Sequence, residues 1–194
     1  MPQPRTSPLL AAEPTGPTQA GAPSPSPRAN ASAAGPSIAF KRLAEIPAET
    51  LLAHMSDPRV SAHLPLAPPG WSLASIQALV AAKEQAWTRD GLGHWAITVN
   101  DVYAGWGGFQ REDGAAPGEW DFGLVLRAEM FGHGQAITRA ALAFARADPR
   151  IACATFLLPL SRTRLAALAR LGAEPMGEIT LAGARFRKFR LPTT

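Results

Sequence analysis

Two glycines one residue apart lie where a short apolar strand gives way to a predicted helix. The strand includes Phe122–Leu126, and the glycines are Gly132 and Gly134. Glycine lets the backbone approach a ligand closely, and the first amides of a helix point outward at the positive end of its dipole. These features favour a site for a phosphate or diphosphate. The glycines alone are weak evidence, because any tight turn can use two of them.

The other residue types that carry chemistry form no recognisable set in the sequence. The single cysteine, Cys153, excludes an intramolecular disulfide and a cysteine-rich metal site, and its apolar neighbours favour a buried structural role. His54, His63 and His94 lack the spacing of metal ligands, so we expect no metal.

Composition narrows the class of protein. The chain has 194 residues and a net charge of +4, which suits an anionic cofactor, an acidic partner or nucleic acid. The arginines are spread along the chain and form no basic stripe interleaved with aromatics, so nucleic-acid binding is disfavoured. No apolar run approaches the ~20 residues of a membrane span. Prolines interrupt the short apolar N-terminal stretch, so we predict no signal peptide and a cytoplasmic protein.

The sequence divides into a tail and one domain. Residues 1–36 are rich in Pro, Ala, Ser and Gly and cannot bury enough apolar surface to offset chain entropy, which predicts a disordered tail. Residues 37–194 are long enough for a single domain with a substantial core.

Hydrophobic periodicity and turn residues predict eleven elements in the order β-α-α-β-β-β-α-β-α-β-β, a mixed α/β domain. We expect Ser72 to cap the second helix, Gly91 to end it, and Asn100-Asp101 to join a hairpin. The predicted strands are one starting at Ile38, then 94–99, 103–110, 120–126, 151–158, 177–181 and 184–191; the predicted helices are 47–55, 73–89, 134–147 and 161–171.

This order, with a Gly-x-Gly turn after the fourth strand, resembles the GNAT acetyltransferase superfamily, and most closely its RimJ/RimL-type N-acetyltransferases. The resemblance covers about residues 36–191. The segments that carry it are Ser56-Asp57-Pro58-Arg59-Val60 with Leu64-Pro65, His94-Trp95-Ala96-Ile97, Asp121–Leu126, Ala128–Ala136, Ser161–Leu165, Leu171-Gly172-Ala173 and Gly177.

The resemblance implies a single GNAT-like domain with a central, mostly antiparallel, splayed sheet flanked by helices. It also implies that acetyl-CoA is the acetyl donor. The backbone of the fourth strand would pair with the pantetheine arm, and the amides of the turn would hold the diphosphate. The implied cofactor-binding residues are Leu124, Val125 and Leu126 on the strand, Phe131, Gly132, His133, Gly134, Gln135 and Ala136 in the turn, and Ser161.

Two residues are implied as catalytic. Asp121 stands where the branch often has a glutamate on the fourth strand, and a carboxylate there can take a proton from the acceptor amine, through water. Glu119 and Glu112 are weaker candidates, and the alternative is that Asp121 is a solvated residue at a strand end. Ser161 occupies the position of the family's Asn; it either binds the cofactor arm or caps the following helix.

The sequence also departs from the family. Glu129 replaces a Gln or Arg, Arg164 replaces a Ser, and Ala173 replaces a Phe. The tyrosine that often serves as general acid near the last helix is missing, since the only tyrosine is Tyr103 in the hairpin. Arg164 either reaches a phosphate of CoA or lies on a solvated helix face.

The acceptor is predicted to be a primary amine, either a protein N-terminus or a small molecule, and the protein to be a monomer or homodimer. Trp95, Trp106 and Trp120 lie on adjacent strands and are candidates for lining the acceptor cleft; core packing is the alternative for each. Loops 60–72 and 111–118 would shape that cleft. The rival functions are a catalytically silent acyl-CoA-binding module and an RNA- or ribosome-binding domain.

Overall fold

The computed structural model describes residues 35–112, 114–163 and 165–193. The predicted tail up to residue 34 and the side chain of Arg164 lie outside these residues. The strands are β1 Ile38–Arg42, β2 His94–Val99, β3 Val102–Gln110, β4 Glu119–Leu126, β5 Cys153–Pro159, β6 Glu174–Leu181 and β7 Ala184–Pro192. The helices are α1 Ala48–Met55, α2 Pro58–Ser61, α3 Leu73–Asp90, α4 Gly134–Ala147 and α5 Ala166–Arg170. Among the described residues, no helix combines the length and apolar character needed to cross a membrane.

The seven strands form one sheet in the order β1-β2-β3-β4-β5-β7-β6. All neighbouring strands are antiparallel except β4 and β5, which are parallel and joined through α4. This is the predicted mixed α/β architecture with a mostly antiparallel sheet. The parallel pairing is short, since only Glu119–Asp121 of β4 pair with Cys153–Thr155 of β5. Beyond these three pairs the two strands diverge.

Local sequence signals account for both ends of α3 and for the turn between β2 and β3. The Ser72 side chain accepts a hydrogen bond from the amide of Ser75 and caps α3. Gly91 ends that helix in the left-handed conformation, with φ of 68°, which a residue with a Cβ adopts at a cost. Asn100 and Asp101 both have positive φ and join β2 to β3, as the tight hairpin requires.

The two faces of the sheet carry separate cores. One face packs against α4, and Trp95 and Phe109 of the sheet meet Ile137, Leu142 and Phe144 of the helix there. The opposite face packs against α1 and α3, and its buried residues are Leu43, Leu51, Met55, Val60, Ile76, Ala96, Trp106 and Val125. The alternation of side chains along each strand therefore decides which helix layer a residue meets.

The short helix α2, Pro58–Ser61, was not predicted, and the predicted boundaries differ most from the structure at three further places. The helix predicted for 161–171 exists only over Ala166–Arg170, because residues 160–163 form a loop in which the amide of Arg162 bonds to the carbonyl of Pro159, the last residue of β5, at 2.9 Å. Strand β6 starts at Glu174 rather than at Gly177. A 3-10 helix over Ala128–His133 replaces the open turn expected before α4.

Trp95 gives a test of the core. Its side chain is 1% exposed and contacts the rings of Phe40, Trp87, Phe109 and Phe144. Trp95→Ala should therefore lower the free energy of unfolding by about 3–5 kcal/mol, measured by urea denaturation. Leu66→Ala is the control, because Leu66 is 47% exposed and its truncation should change stability by less than about 0.5 kcal/mol. Equal stability of the two variants would contradict this account of the core.

Candidate functional site

The divergence of β4 and β5 opens a strand edge inside the sheet. Residues 122–126 of β4 pair with β3 on one side, but none of them pairs with β5 on the other. Buried backbone amides and carbonyls need hydrogen-bond partners, so an extended ligand chain can pair with this edge. This edge contains Leu124, Val125 and Leu126, the residues predicted to pair with the pantetheine arm.

The segment that follows β4 leads directly into α4. The 3-10 helix Ala128–His133 runs into Gly134, whose φ of −53° and ψ of −41° are ordinary helical values. Neither Gly132 nor Gly134 has a positive φ, so the backbone conformation does not require glycine at either position. The glycines instead keep space free: a Cβ at Gly132 would meet no atom within 4 Å. A diphosphate could occupy space that a side chain would fill.

The loop after β5 packs against this segment. The guanidinium of Arg162 lies 5.1 Å from the ring centre of Phe131. His63, just after α2, has its Nδ1 3.0 Å from Oγ of Ser161, and its ring contacts Phe131. Ser161 therefore does not cap a helix, since α5 begins five residues later and has Leu165 at its N-cap. Ser161 lies instead in a loop whose next residue, Arg162, contacts Phe131, and Phe131 directly precedes Gly132.

Glu129 at the start of the segment is held by arginines. Its carboxylate lies 2.6 Å from the guanidinium of Arg59 on α2 and 3.7 Å from that of Arg127. Arg59 also pairs with Asp57, the N-cap of α2. The residue that departs from the family pattern thus ties α2 to the beginning of the 3-10 helix.

Asp121 lies at the vertex of the divergence. It is the last residue of β4 that pairs with β5, opposite Thr155, and it pairs with Gln110 of β3 on its other side. Its side chain is not solvated, because the residue is only 5% exposed. Oδ2 is 3.5 Å from Nε2 of Gln110, whereas Oδ1 has no hydrogen-bond partner among the residues that the structure describes. Oγ1 of Thr155 is also buried and unpaired, so two unsatisfied polar atoms sit on neighbouring strands.

Burial raises the pKa of Asp121 to about 7, and the nearby carboxylate of Glu112 adds to this effect. The hydrogen bond from Gln110 and the ammonium groups of Lys188 and Lys83 act in the opposite direction. A carboxyl group with a pKa near neutrality can both accept and release a proton at physiological pH. The alternative that Asp121 is a solvated residue at a strand end is wrong, because its side chain is buried.

Glu119 and Glu112, the weaker candidates for a base, are both engaged by one lysine. Nζ of Lys188 on β7 lies 3.0 Å from Glu119 and 3.7 Å from Glu112. The carboxylates of Glu119 and Glu112 are thus engaged in ion pairs, whereas Oδ1 of Asp121 has no partner among the described residues. Among the three acidic residues, the geometry favours Asp121.

The family of the chain indicates which ligand the open edge of β4 and the Gly132–Gly134 segment could bind. Residues 39–172 match a protein family described as the acetyltransferase (GNAT) domain. The chain belongs to the GNAT acetyltransferase family. The match spans the divergent strands, the Gly132–Gly134 segment and Ser161. No curated protein sequence matches the chain significantly.

Solved structures share the fold of this GNAT domain at low sequence identity. The microcin C7 self-immunity acetyltransferase MccE, in complex with acetyl-CoA and AMP, is 15% identical with a TM-score of 0.67, over 80% of this chain and 92% of that one. RimL, a ribosomal L7/L12 alpha-N-protein acetyltransferase in complex with coenzyme A, is 14% identical with a TM-score of 0.63, over 80% and 93%. The aminoglycoside acetyltransferase AAC(6')-Ib, in complex with coenzyme A, is 17% identical with a TM-score of 0.65, over 80% and 95%.

The three tryptophans of this GNAT domain fall on different faces of the sheet. Trp95 and Trp120 belong to the core on the α4 side, and Trp120 donates its Nε1–H to the carbonyl of Arg150. Trp106 belongs to the opposite face, and its Nε1 lies 3.3 Å from Sδ of Met55. Trp106 shares this face with Asp121, because Trp106 pairs with Val125, four residues along β4 from Asp121. Only Trp106 is placed on the same side as the candidate base.

Sequence reasoning missed Lys83, Gln110 and His94. The His94 ring is buried against Trp106, and its Nε2 would lie 3.4 Å from a Cβ built on Gly123 of β4. Burial and the ammonium of Lys83 hold the pKa of His94 well below its ordinary value, so this imidazole is neutral. These residues come from α3, β3 and β2, and only the pairing of the strands reveals that they share the face of Asp121. The sequence signal that could have indicated this packing is the glycine-rich run 105–108, because glycines in a strand allow neighbouring backbones to lie close together.

The pKa of Asp121 predicts a pH dependence of stability. The unfolded chain loses this proton near its ordinary pKa of 3.8, whereas the folded protein retains it up to about pH 7. The folded state therefore binds more protons between these values, and stability falls as the pH rises from about 4 to 7. In urea denaturation, the free energy of unfolding of Asp121→Asn minus that of the wild type should therefore increase by on the order of 3 kcal/mol between pH 4 and pH 8.

Asp101→Asn is the matched control for this measurement. Asp101 is exposed in the β2–β3 turn, and Asn also tolerates its left-handed conformation. Its stability should run parallel to that of the wild type over the same pH range. If the curve of Asp121→Asn is parallel as well, the carboxyl group of Asp121 titrates normally and our description of its surroundings is wrong.

Proposed function

We propose that this GNAT domain transfers the acetyl group of acetyl-CoA directly to a primary amine within a ternary complex, and that it is of the RimJ/RimL type. The observation that carries the proposal is the buried carboxyl group of Asp121 at the point where β4 leaves β5. Membership of the family and the acetyl-CoA or CoA named for three structural neighbours support the choice of donor.

The donor would lie along the open edge of β4. Its pantetheine arm contains amide groups, which can bond to the backbone of Leu124, Val125 and Leu126 as a neighbouring strand would. The diphosphate would lie at Phe131–Ala136, where Gly132 leaves open space and Arg162 adds a positive charge beside Phe131. Ser161 lies in the same loop as Arg162 and is a candidate to bind the arm.

Asp121 would act as the general base. The amine nitrogen attacks the thioester carbonyl carbon, the new C–N bond forms, and the C–S bond breaks with release of the CoA thiolate. Oδ1 of Asp121 is the oxygen without a partner, so it would take the proton from the amine, directly or through water. A backbone amide of β4 would stabilise the negative charge that develops on the carbonyl oxygen.

The identity of the acceptor rests on the loops around this face. The three solved neighbours are named for different substrates or roles, so the shared fold leaves the acceptor open. Segment 60–72, which begins within α2, and segment 111–118 would form the acceptor cleft, with Trp106 on the same face of the sheet. A peptide N-terminus and a small amine both remain acceptors within the proposal.

Gly134→Val tests the donor site. A Cβ at this position meets only Cδ1 of Leu126, at an ordinary 3.6 Å, so the domain should fold. The branched side chain would occupy the diphosphate position, and acetyl-CoA affinity measured by calorimetry should fall at least about tenfold. Ala143→Val introduces the same side chain on the exposed face of α4 and should leave affinity unchanged. Equal affinity of the two folded variants would remove the Gly132–Gly134 segment from the donor site.

Asp121→Asn tests the base and, with it, the proposed activity. Thiol release from acetyl-CoA with a panel of peptides and small amines identifies a responsive acceptor. Turnover of Asp121→Asn should then fall by roughly 10²–10⁴-fold with little change in acetyl-CoA affinity, and less so at high pH, where free amine is abundant. Asp101→Asn should keep wild-type turnover.

Three outcomes contradict parts of the proposal. Unchanged turnover in Asp121→Asn removes Asp121 as the base. A raised KM for the acceptor with normal turnover assigns Asp121 to binding the substrate ammonium group. Tight acetyl-CoA binding without thiol release for any amine would instead identify a catalytically silent acyl-CoA-binding module.

A further inference from the structure

A chain of three polar side chains runs from α3 to the vertex of the divergence. Nζ of Lys83 on α3 lies 3.1 Å from Oε1 of Gln110, the last residue of β3. Nε2 of Gln110 lies 3.5 Å from Oδ2 of Asp121. The amide of Gln110 therefore stands between a cation and the carboxyl group that we propose as the base.

The ammonium group fixes the orientation of this amide. Lysine in its charged form can only donate hydrogen bonds, so it must face the oxygen of the Gln110 amide. The NH₂ group then necessarily points toward Asp121 and donates to Oδ2. This bond favours the charged carboxylate, because a protonated Oδ2 would present a second donor to the NH₂ group. It also leaves Oδ1 as the atom that is open to a proton.

Unlike a typical surface lysine, Lys83 has its ammonium group partly removed from solvent. It is half-buried, its Nζ lies 5.6 Å from the ring centre of Trp106, and no carboxylate among the described residues lies within ion-pair distance of it. The next residue, Glu84, forms an ion pair with Arg42 rather than with Lys83. Removing an ammonium group from water is costly unless other groups compensate. The Trp106 ring and the Gln110 oxygen offset part of that cost, and burial still lowers the pKa of Lys83.

We propose that Lys83 and Gln110 are positioning residues for Asp121: the Lys83 ammonium locks the Gln110 amide, which holds Oδ2 of Asp121 and leaves Oδ1 free to accept the proton. The inference rests on the proposed function, in which Asp121 is the base. It assigns a role to a lysine on a helix that contributes no side chain to the donor site.

Other groups also face Asp121 and enter any pH measurement. Glu112 follows β3 and Lys188 lies on β7; both act electrostatically on Asp121, in opposite directions. Thr155 of β5 pairs with Asp121, and His94 of β2 lies on the same face of the sheet two strands away; burial lowers the pKa of His94. Glu112, Lys188 and Thr155 keep their side chains in the Lys83 and Gln110 variants. Lys83→Met also removes the smaller of the two causes that lower the pKa of His94, whereas burial, the larger cause, remains. Gln110→Leu keeps the Lys83 ammonium and therefore separates the effect of the amide on Asp121 from any effect on His94.

Direct titration of Asp121 tests the inference without an acceptor. Protein labelled with ¹³C at the aspartate carboxyl carbons is titrated by NMR, and Asp121→Asn identifies the Asp121 signal. Lys83→Met should raise the Asp121 midpoint by about one pH unit, because it removes the cation and lets the amide rotate. Gln110→Leu should raise it as well. Lys83→Arg, which keeps the charge and the donors, should restore a midpoint close to that of the wild type.

Lys41→Met is the matched control, because Lys41 is exposed on β1 and the net charge changes equally. A Lys83→Met midpoint no higher than that of Lys41→Met would overturn the proposal. So would a raised midpoint in Lys83→Met that Lys83→Arg does not reverse, because packing would then be the cause.

Kinetics with an acceptor from the amine panel provide the second readout. A one-unit shift from about pH 7 predicts that kcat/KM of Lys83→Met falls about fivefold at pH 7 and recovers by pH 9. A raised KM for anionic acceptors only, with an unchanged acid limb, would make Lys83 a substrate-binding residue and overturn the inference. If no amine is acetylated, the proposed function fails, while the NMR titration still decides whether Lys83 and Gln110 govern Asp121.

Discussion

The parallel contact between β4 and β5 is only three residue pairs long, and the rest of the candidate site depends on this limit. At the paired end the strands are held together from several sides: the amides of Ala152 and Cys153 both donate to the carbonyl of Gly118, and Trp120 donates to Arg150. At the other end β5 continues along β7, while β4 turns into the 3-10 helix. A longer contact would close the edge of β4, and a shorter one would release Asp121 from its position.

Two of the four buried side-chain polar atoms that lack a hydrogen-bond partner among the described residues lie at this vertex, a third lies on the same face of the sheet, and the fourth is Nε2 of His54 on α1. Oδ1 of Asp121 and Oγ1 of Thr155 have no partners on paired strands, and the Nδ1 of His94 on the same face is also unpaired. Each unsatisfied buried group lowers stability by about 1–3 kcal/mol. Such groups are retained where a ligand or a reaction uses them, because an apolar residue would stabilise the fold more. The cost of the vertex therefore argues for function at this point rather than elsewhere in the sheet.

Much of the fold could be predicted from the sequence, because the signals are local. The cap at Ser72, the stop at Gly91 and the turn at Asn100-Asp101 each act within a few residues, and the structure confirms the elements that they bound. The helix predicted from Ser161 failed for a non-local reason. Ser161 bonds to His63, 98 residues away, and Arg162 lies over Phe131, so tertiary contacts hold the segment as a loop. Periodicity in that segment carried no trace of these partners.

The candidate site was only partly predictable, and the reason lies in close backbone packing. A Cβ at Gly107 would lie 2.5 Å from the carbonyl oxygen of Gly123, and one at Gly108 would lie 2.1 Å from that of Gly93. The glycines thus let β2, β3 and β4 approach, with the His94 ring beside Gly123 and with Gln110 next to Asp121. Lys83 then reaches the group from a helix 27 residues earlier in the chain. In the sequence, Lys83 is one of many helix residues and Gln110 is a polar strand end. Lys83 and Gln110 meet only because the glycine-rich sheet brings the end of β3 close to α3. The properties of Asp121 are therefore set by the buried face of the sheet as a whole and not by any single motif.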